Sequence, residues 1–227
     1  MLLIYTHKIT PRVTYITRQL FFHILGVEIG YTTQVEAFIK HKGPKITYTR
    51  QPLQNEFFIQ STELLFQQGI EEVEVRMEAW GDLPCFFPTG PRSNVPFDIL
   101  AASFYLLTRY EEYLPHVRDH HGRFPPGESL AYQQDFLREP LVDLWANKLL
   151  KQLRERFPEI LTDRKPYRFT PIIDVTTSHC YAHRGFFRGM AGLFLDLSRL
   201  RLRRIWDRLR VSVKPALDPY DNFDQLL

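Results

Sequence analysis

Apolar residues change rhythm several times along this chain, and each change marks an element. Residues 2–6 form a short apolar run that reads as a strand. Residues 11–25 take helical spacing, with Pro11 near the start and Gly26 just past the end, the usual asymmetry of a helix. Extended runs follow at 27–32 and 45–49, with Ile46 and Tyr48 alternating against Thr47 and Thr49. Phe57, Phe58 and Ile59 mark a short buried strand over 56–60. Residues 73–79 alternate Val73, Val75 and Met77 with Glu74, Arg76 and Glu78, the pattern of a half-buried strand. Strands interleaved with helices predict an α/β fold with a mixed or partly parallel sheet and flanking helices.

Prolines punctuate residues 86–96 into a loop, and the strongest helical pattern runs from 96 to 114. It carries a wide apolar face from Ile99 to Tyr113 and ends with Arg109, Glu111 and Glu112 close together before Pro115. A polar loop covers 119–127. A second helix starts at Pro140 and repeats Leu141, Leu144, Trp145, Leu149 and Leu153 until Pro158. Residues 159–166 read as a boundary, dividing a domain at 1–160 from a second segment at 167–227. In that segment 167–175 reads as a buried strand ending in Asp174. Residues 186–212 read as one long basic amphipathic helix, with Gly189 or Gly192 as the place for a break.

Composition bounds the function. Hydrophobic residues make up 44% and aromatics 14% of 227 residues, enough for a sizeable core and against wholesale disorder. Cys85 and Cys180 stand far apart, which gives no disulfide framework and no cysteine zinc site and suits a reducing compartment. The apolar run at the N-terminus is too short for a signal peptide, and no stretch is long enough to span a bilayer. The expected location is cytoplasmic. The net charge of +3 is unevenly placed: residues 184–214 hold nine basic side chains against Asp196 and Asp207, a net +7.

Candidate chemistry is sparse. His116 with His120, and His179 with His183, have the i, i+4 spacing that puts two imidazoles on one helix face, as metal sites need. Solvent-exposed or capping histidines are the plain alternative, and a metal hydrolase built on His116, Asp119 and His120 is the chemical one. Arg109, Glu111, Glu112, Asp119, His120 and Arg123 concentrate charge around one helix end and its loop. They are candidate ligand-binding residues for a small molecule or sugar, or else a salt-bridge network fastening that loop. No glycine-rich phosphate loop and no nucleophile elbow is present. The basic segment 186–212 suits an anionic membrane surface or an acidic partner, or an amphipathic helix packed on the rest of its domain. Nucleic acid is not expected as a partner. Catalytic groups of (β/α) barrels sit at the C-terminal ends of strands, so Asp174 is a candidate general base, or a cap for the following turn.

Several segments in order resemble the Bacteroidetes-type polysaccharide deacetylase (NodB-like) proteins. They include the run from Met1 through Pro11-Arg12, Asn55 to Ser61, Pro96-Phe97-Asp98-Ile99, Arg109 to Tyr113, Asp119 to Phe124, Ile173-Asp174-Val175 and Asp218 to Asp221. The resemblance implies an uncharacterised N-terminal α/β accessory domain before a deacetylase domain built as a distorted (β/α) barrel. It further implies that Asp174 is the general base and that the family holds a divalent metal such as zinc through another Asp and two His. The metal-binding Asp would fall at position 176, where this chain has Thr176, and the family's histidine pair would fall beyond Leu227. The expectation is therefore the first strand and long helix of an incomplete barrel, without a metal site or cofactor of its own. Its partners would be a carbohydrate ligand and a missing C-terminal deacetylase domain. The alternative is a non-enzymatic binding or scaffolding module that contacts membrane or an acidic partner through its basic helix.

Overall fold

The computed structural model describes residues 1–163, 168–175, 177, 179–183, 185–214 and 218–221. The chain divides into two compact units, residues 1–166 and 167–227.

The first unit is built on four parallel strands, β1 (Leu2–Thr6), β2 (Ile29–Thr32), β3 (Lys45–Thr49) and β4 (Phe57–Gln60), in the order β2-β1-β3-β4. Parallel strands need crossovers, and α1 (Pro11–Thr17) and α2 (Val35–Lys40) supply them. Both faces are covered, so β1 is buried at every position and β3 from Ile46 onward, and the expected alternation in β3 gives way. One face is thick. There Leu2, Ile4, Ile46, Tyr48, Phe57 and Ile59 join a core with α1, α3 (Ile99–Leu107) and α5 (Leu141–Arg156). The other face is thin, with Leu3 and Tyr5 against Phe38 of α2.

The helix expected over 11–25 forms in two parts. Thr10 caps α1, its hydroxyl accepting from the Val13 N–H at 3.1 Å. After Thr17 the turns widen to π geometry over Arg18–Ile24, closing with the Leu25 N–H on the Leu20 carbonyl at 3.2 Å. Gly26, at φ +64°, ends the run.

The strand expected over 73–79 is shorter and lies in a hairpin, β5 (Met77–Trp80) with β6 (Leu83–Phe86), apart from the main sheet. Its two-residue turn opens on Gly81 at φ +71°, the conformation a tight antiparallel turn asks for at that place. Trp145 of α5, fully buried, donates its indole N–H to the Pro84 carbonyl at 3.0 Å and packs on Phe86 and Phe97. Burying the large face of α5 on this hairpin joins residues more than sixty positions apart into one core.

In the second unit, the strand expected to end in Asp174 is absent. The described residues 168–175 have no regular structure, and Ile172 is 90% exposed. A strand is stable only against a ladder partner, and among the described residues of this unit there is none. Among the described residues no closed barrel forms. Thr176 lies outside the described residues. The single basic helix expected over 186–212 is two, α6 (Phe186–Ser198) and α7 (Leu202–Val213), hinged at Arg199–Arg201 and not at either glycine. Gly192 has another use. A Cβ there would meet the Arg208 guanidinium at 2.6 Å, so the glycine leaves room for Arg208 to reach Asp196 (2.8 Å) between the helices.

Candidate ligand-binding cleft

Asp98 sets the position of the site. It is fully buried and caps α3, accepting the Ala101 N–H at 3.0 Å. It also accepts the Tyr48 hydroxyl (2.9 Å), the Thr62 N–H (2.5 Å) and the Thr62 hydroxyl (2.8 Å). Burial raises its pKa, against the pull of these donors. Helix, central strand and the segment after β4 are thereby tied at one carboxyl group. The pattern Pro96-Phe97-Asp98 before an apolar helical run carries this cap signal, yet Asp98 is absent from the sequence-predicted site residues.

From that anchor α3 runs to Thr108, where Arg109 turns left-handed at φ +51° and starts the tight turn Tyr110–Tyr113. The reversal projects Glu111 and Glu112 toward the loop instead of continuing the helix expected through residue 114. The Tyr110 hydroxyl accepts the Glu71 N–H (2.9 Å) and donates to its carbonyl (3.0 Å), which fastens the turn. Glu111 accepts the Leu130 N–H at 2.9 Å at the start of α4 (Leu130–Gln133), and Arg109 pairs with Glu112. Between these pieces lies a cleft of about 460 Å³, lined by Arg109, Glu111 and Glu112, by Phe124 and Ser129, and by Phe136, Glu139 and Asp143.

Glu111 is the group whose chemistry this setting changes. Burial raises its pKa first, the Leu130 N–H opposes that, Glu112 adds to the rise and Arg109 offsets part of it. Glu111 and Glu112 offer carboxyl oxygens to the cleft and Arg109 offers donors. Such a set beside an aromatic ring suits a polyhydroxylated ligand.

Of the six residues in the sequence-predicted charge cluster, Arg109, Glu111 and Glu112 line the cleft, and Asp119, His120 and Arg123 do not. The Asp119 carboxylate accepts the His121 and Arg123 N–H groups, both at 2.8 Å, and so closes its own turn with Gly122 at φ +75°. The His116–His120 pair does not assemble. His116 bonds the Leu114 carbonyl (2.8 Å) and packs edge-on against Phe124, while the His120 ring lies on His121. His179 and His183 do approach, with ring centroids 4.9 Å apart. Among the described residues, however, no group of three or more His, Cys, Asp or Glu comes together as a metal would need. Asp174 stands exposed in the irregular segment 168–175.

The sheet order also places a topological switch point between β1 and β3, where open α/β sheets commonly take ligands. Here the side chains at that edge engage one another. The His7 ring lies 4.2 Å from Phe66, its pKa lowered by burial and by Arg50 and Lys8, and Arg50 pairs with Glu63.

Comparison with curated proteins and with solved structures returns no match. Residues 2–158, most of the chain and nearly all of the first unit, match the model of a family of unknown function, DUF7033. This chain belongs to the DUF7033 family.

Proposed function

We propose that residues 1–160 are the carbohydrate-binding accessory region of a polysaccharide deacetylase-like protein, with the ligand held in the cleft around Glu111. One observation carries the reading: a half-buried carboxyl group with a raised pKa shares a cleft with Arg109, Glu112 and the Phe124 ring. Sugar recognition draws on such elements, an apolar face for the ring and charged or amide groups for the hydroxyls. The resemblance described above supplies the polysaccharide context. In this reading Arg109, Glu111 and Glu112 bind, while Asp119 and Arg123 hold the loop that carries Phe124.

Titration of the isotope-labelled chain with N-acetylglucosamine oligomers tests the proposal. The expected outcome is saturable shifts at the amides of Arg109–Glu112 and Leu130, lost in Glu111→Gln, with cello-oligomers as the comparison. No shift with any oligomer would remove the carbohydrate reading. Acetate release on adding zinc or cobalt would move it from binding to catalysis.

A further inference from the structure

The second unit inverts the usual arrangement of a helical pair. Its inside holds a charged pair: Asp196 and Arg208 form a largely buried ion pair, with Val211 also buried, and the Arg208 guanidinium sits over the Tyr181 ring at 4.8 Å. Its outer positions are apolar. On α6, Phe187, Met190, Phe194 and Leu197 recur at spacings of three and four and are 52–87% exposed. On α7, Leu202, Trp206, Leu209 and Val213 do the same at 51–80%. Around the hinge stand Arg199, Arg201, Arg203 and Arg204.

We propose that this helical hairpin is an interfacial docking element for an anionic lipid bilayer. The occupant follows from the charge pattern. A bilayer with acidic headgroups offers an apolar slab directly beneath a mobile anionic layer, and so it accepts apolar and basic side chains interleaved along a helix. A protein groove would need acids fixed opposite each arginine. The positive field is also local, because residues 1–183 are close to neutral while 184–214 carry nine basic side chains against two acids. Trp206 sits where membrane-boundary tryptophans do, on the apolar stripe beside Arg203 and Arg210. The hairpin lies on the surface, as no helix of the described residues is long and apolar enough to cross. The inference is independent of the carbohydrate cleft.

Vesicle co-sedimentation of the full chain, with tryptophan emission as a second readout, tests it. Trp80 and Trp145 are buried, so Trp206 reports the change. Expected are binding and a blue shift with vesicles of phosphatidylcholine plus phosphatidylglycerol, little of either with phosphatidylcholine alone, and weakening in added salt. Each arginine near an anionic surface contributes roughly fivefold in affinity, so Arg201→Glu with Arg204→Glu should weaken partition by at least about tenfold. Phe187→Ser with Phe194→Ser should also weaken it while leaving the Asp196–Arg208 pair in place. If circular dichroism shows that this double variant loses helix, Phe187→Ser alone decides. Equal binding to neutral and anionic vesicles, binding to neither, or indifference to charge reversal would overturn the proposal. So would a concentration-dependent dimer that buries Trp206, which would assign the stripes to a second copy.

Discussion

The two units spend similar side chains in opposite ways. In the first, Trp145, Phe86, Phe97, Tyr48 and Phe21 are all fully buried, and the polar groups among them serve as ties between elements. In the second, Phe187, Phe194 and Trp206 face outward, and the buried positions among the described residues are Asp196 and Asp218, both serving as ties, with Val211. Asp218 shows this most plainly. It is buried and gathers the N–H groups of Cys180, Tyr181, Ala182 and Tyr220 within 2.7–3.0 Å. Hydrophobic burial depends on area and tolerates changes of charge, whereas a fold held by carboxylates depends on their ionisation. The first unit should therefore be governed by packing and the second by pH and salt.

The sharpest way to break that comparison is to open a cavity in the first unit. Trp145→Ala should cost it about 3–5 kcal/mol, the usual range for a fully buried large aromatic. The loss includes the indole bond to the Pro84 carbonyl. Urea denaturation followed by the amide signals of each unit should show the transition of residues 1–163 moving and that of α6 and α7 staying. A common shift would mean that the two units unfold together.

Asp98→Asn comes next, at about 1–3 kcal/mol, because one of the donors from Tyr48 and Thr62 is left facing an amide N–H₂. Its pH signature has a definite sign. The fold raises the Asp98 pKa above the ordinary 3.8, so this residue favours the fold most at pH values below 3.8. Its contribution then declines as pH rises from there to the raised value. Asp98→Asn should abolish that slope, as thermal denaturation at several pH values would show.

The second unit should behave in the reverse sense. Burial opposes ionisation of Asp218, but its four backbone donors outweigh that and hold its pKa well below 3.8. The hydrogen bond from Arg208 lowers the Asp196 pKa likewise, against burial and with help from Arg204 and Arg201. Both contributions are whole above the ordinary carboxylate value and fade as pH falls through it. Amide protection at Cys180–Ala182, relative to the intrinsic exchange rate at each pH, should thus fall on acidification before protection in β1 or β3 changes, and Asp218→Asn should remove most of that acid sensitivity. Protection that falls together in both units would erase the distinction.

The smallest effect should come from Glu111→Gln. The glutamine can keep its carbonyl on the Leu130 N–H, so stability should change by less than about 1 kcal/mol. Sugar-induced shifts should nonetheless vanish. A large stability loss would place Glu111 with Asp98 among the structural ties.

Periodicity alone yields the strands of the main sheet and the approximate place of the longer helices in the first unit, because each pattern answers to a local requirement. Lys45–Thr49 is the same strand in sequence and in structure, and Pro140 marks the start of the long helix. The hairpin at Met77–Phe86 and the short α2 escape that reading, since a four-residue strand and a six-residue helix carry too few periods. Arg109, Glu111 and Glu112 are legible as a cluster. Asp119 and Arg123 share their composition and not their place, and nothing in the spacing distinguishes a carboxylate that closes its own turn from one that lines a cleft.

What the sequence by itself determined is local: where elements start and stop, which faces are apolar, and that positive charge gathers after residue 183. Only the tertiary structure decided that Asp98 joins three elements, that the basic helix folds back on a buried ion pair, and that residues 168–175 form no strand. The physical reason is that periodicity, caps and turn residues act within a few positions. Burial, hydrogen-bond satisfaction and ladder pairing depend instead on partners far away in the chain, such as Tyr48 for Asp98, and on whether a partner is there at all.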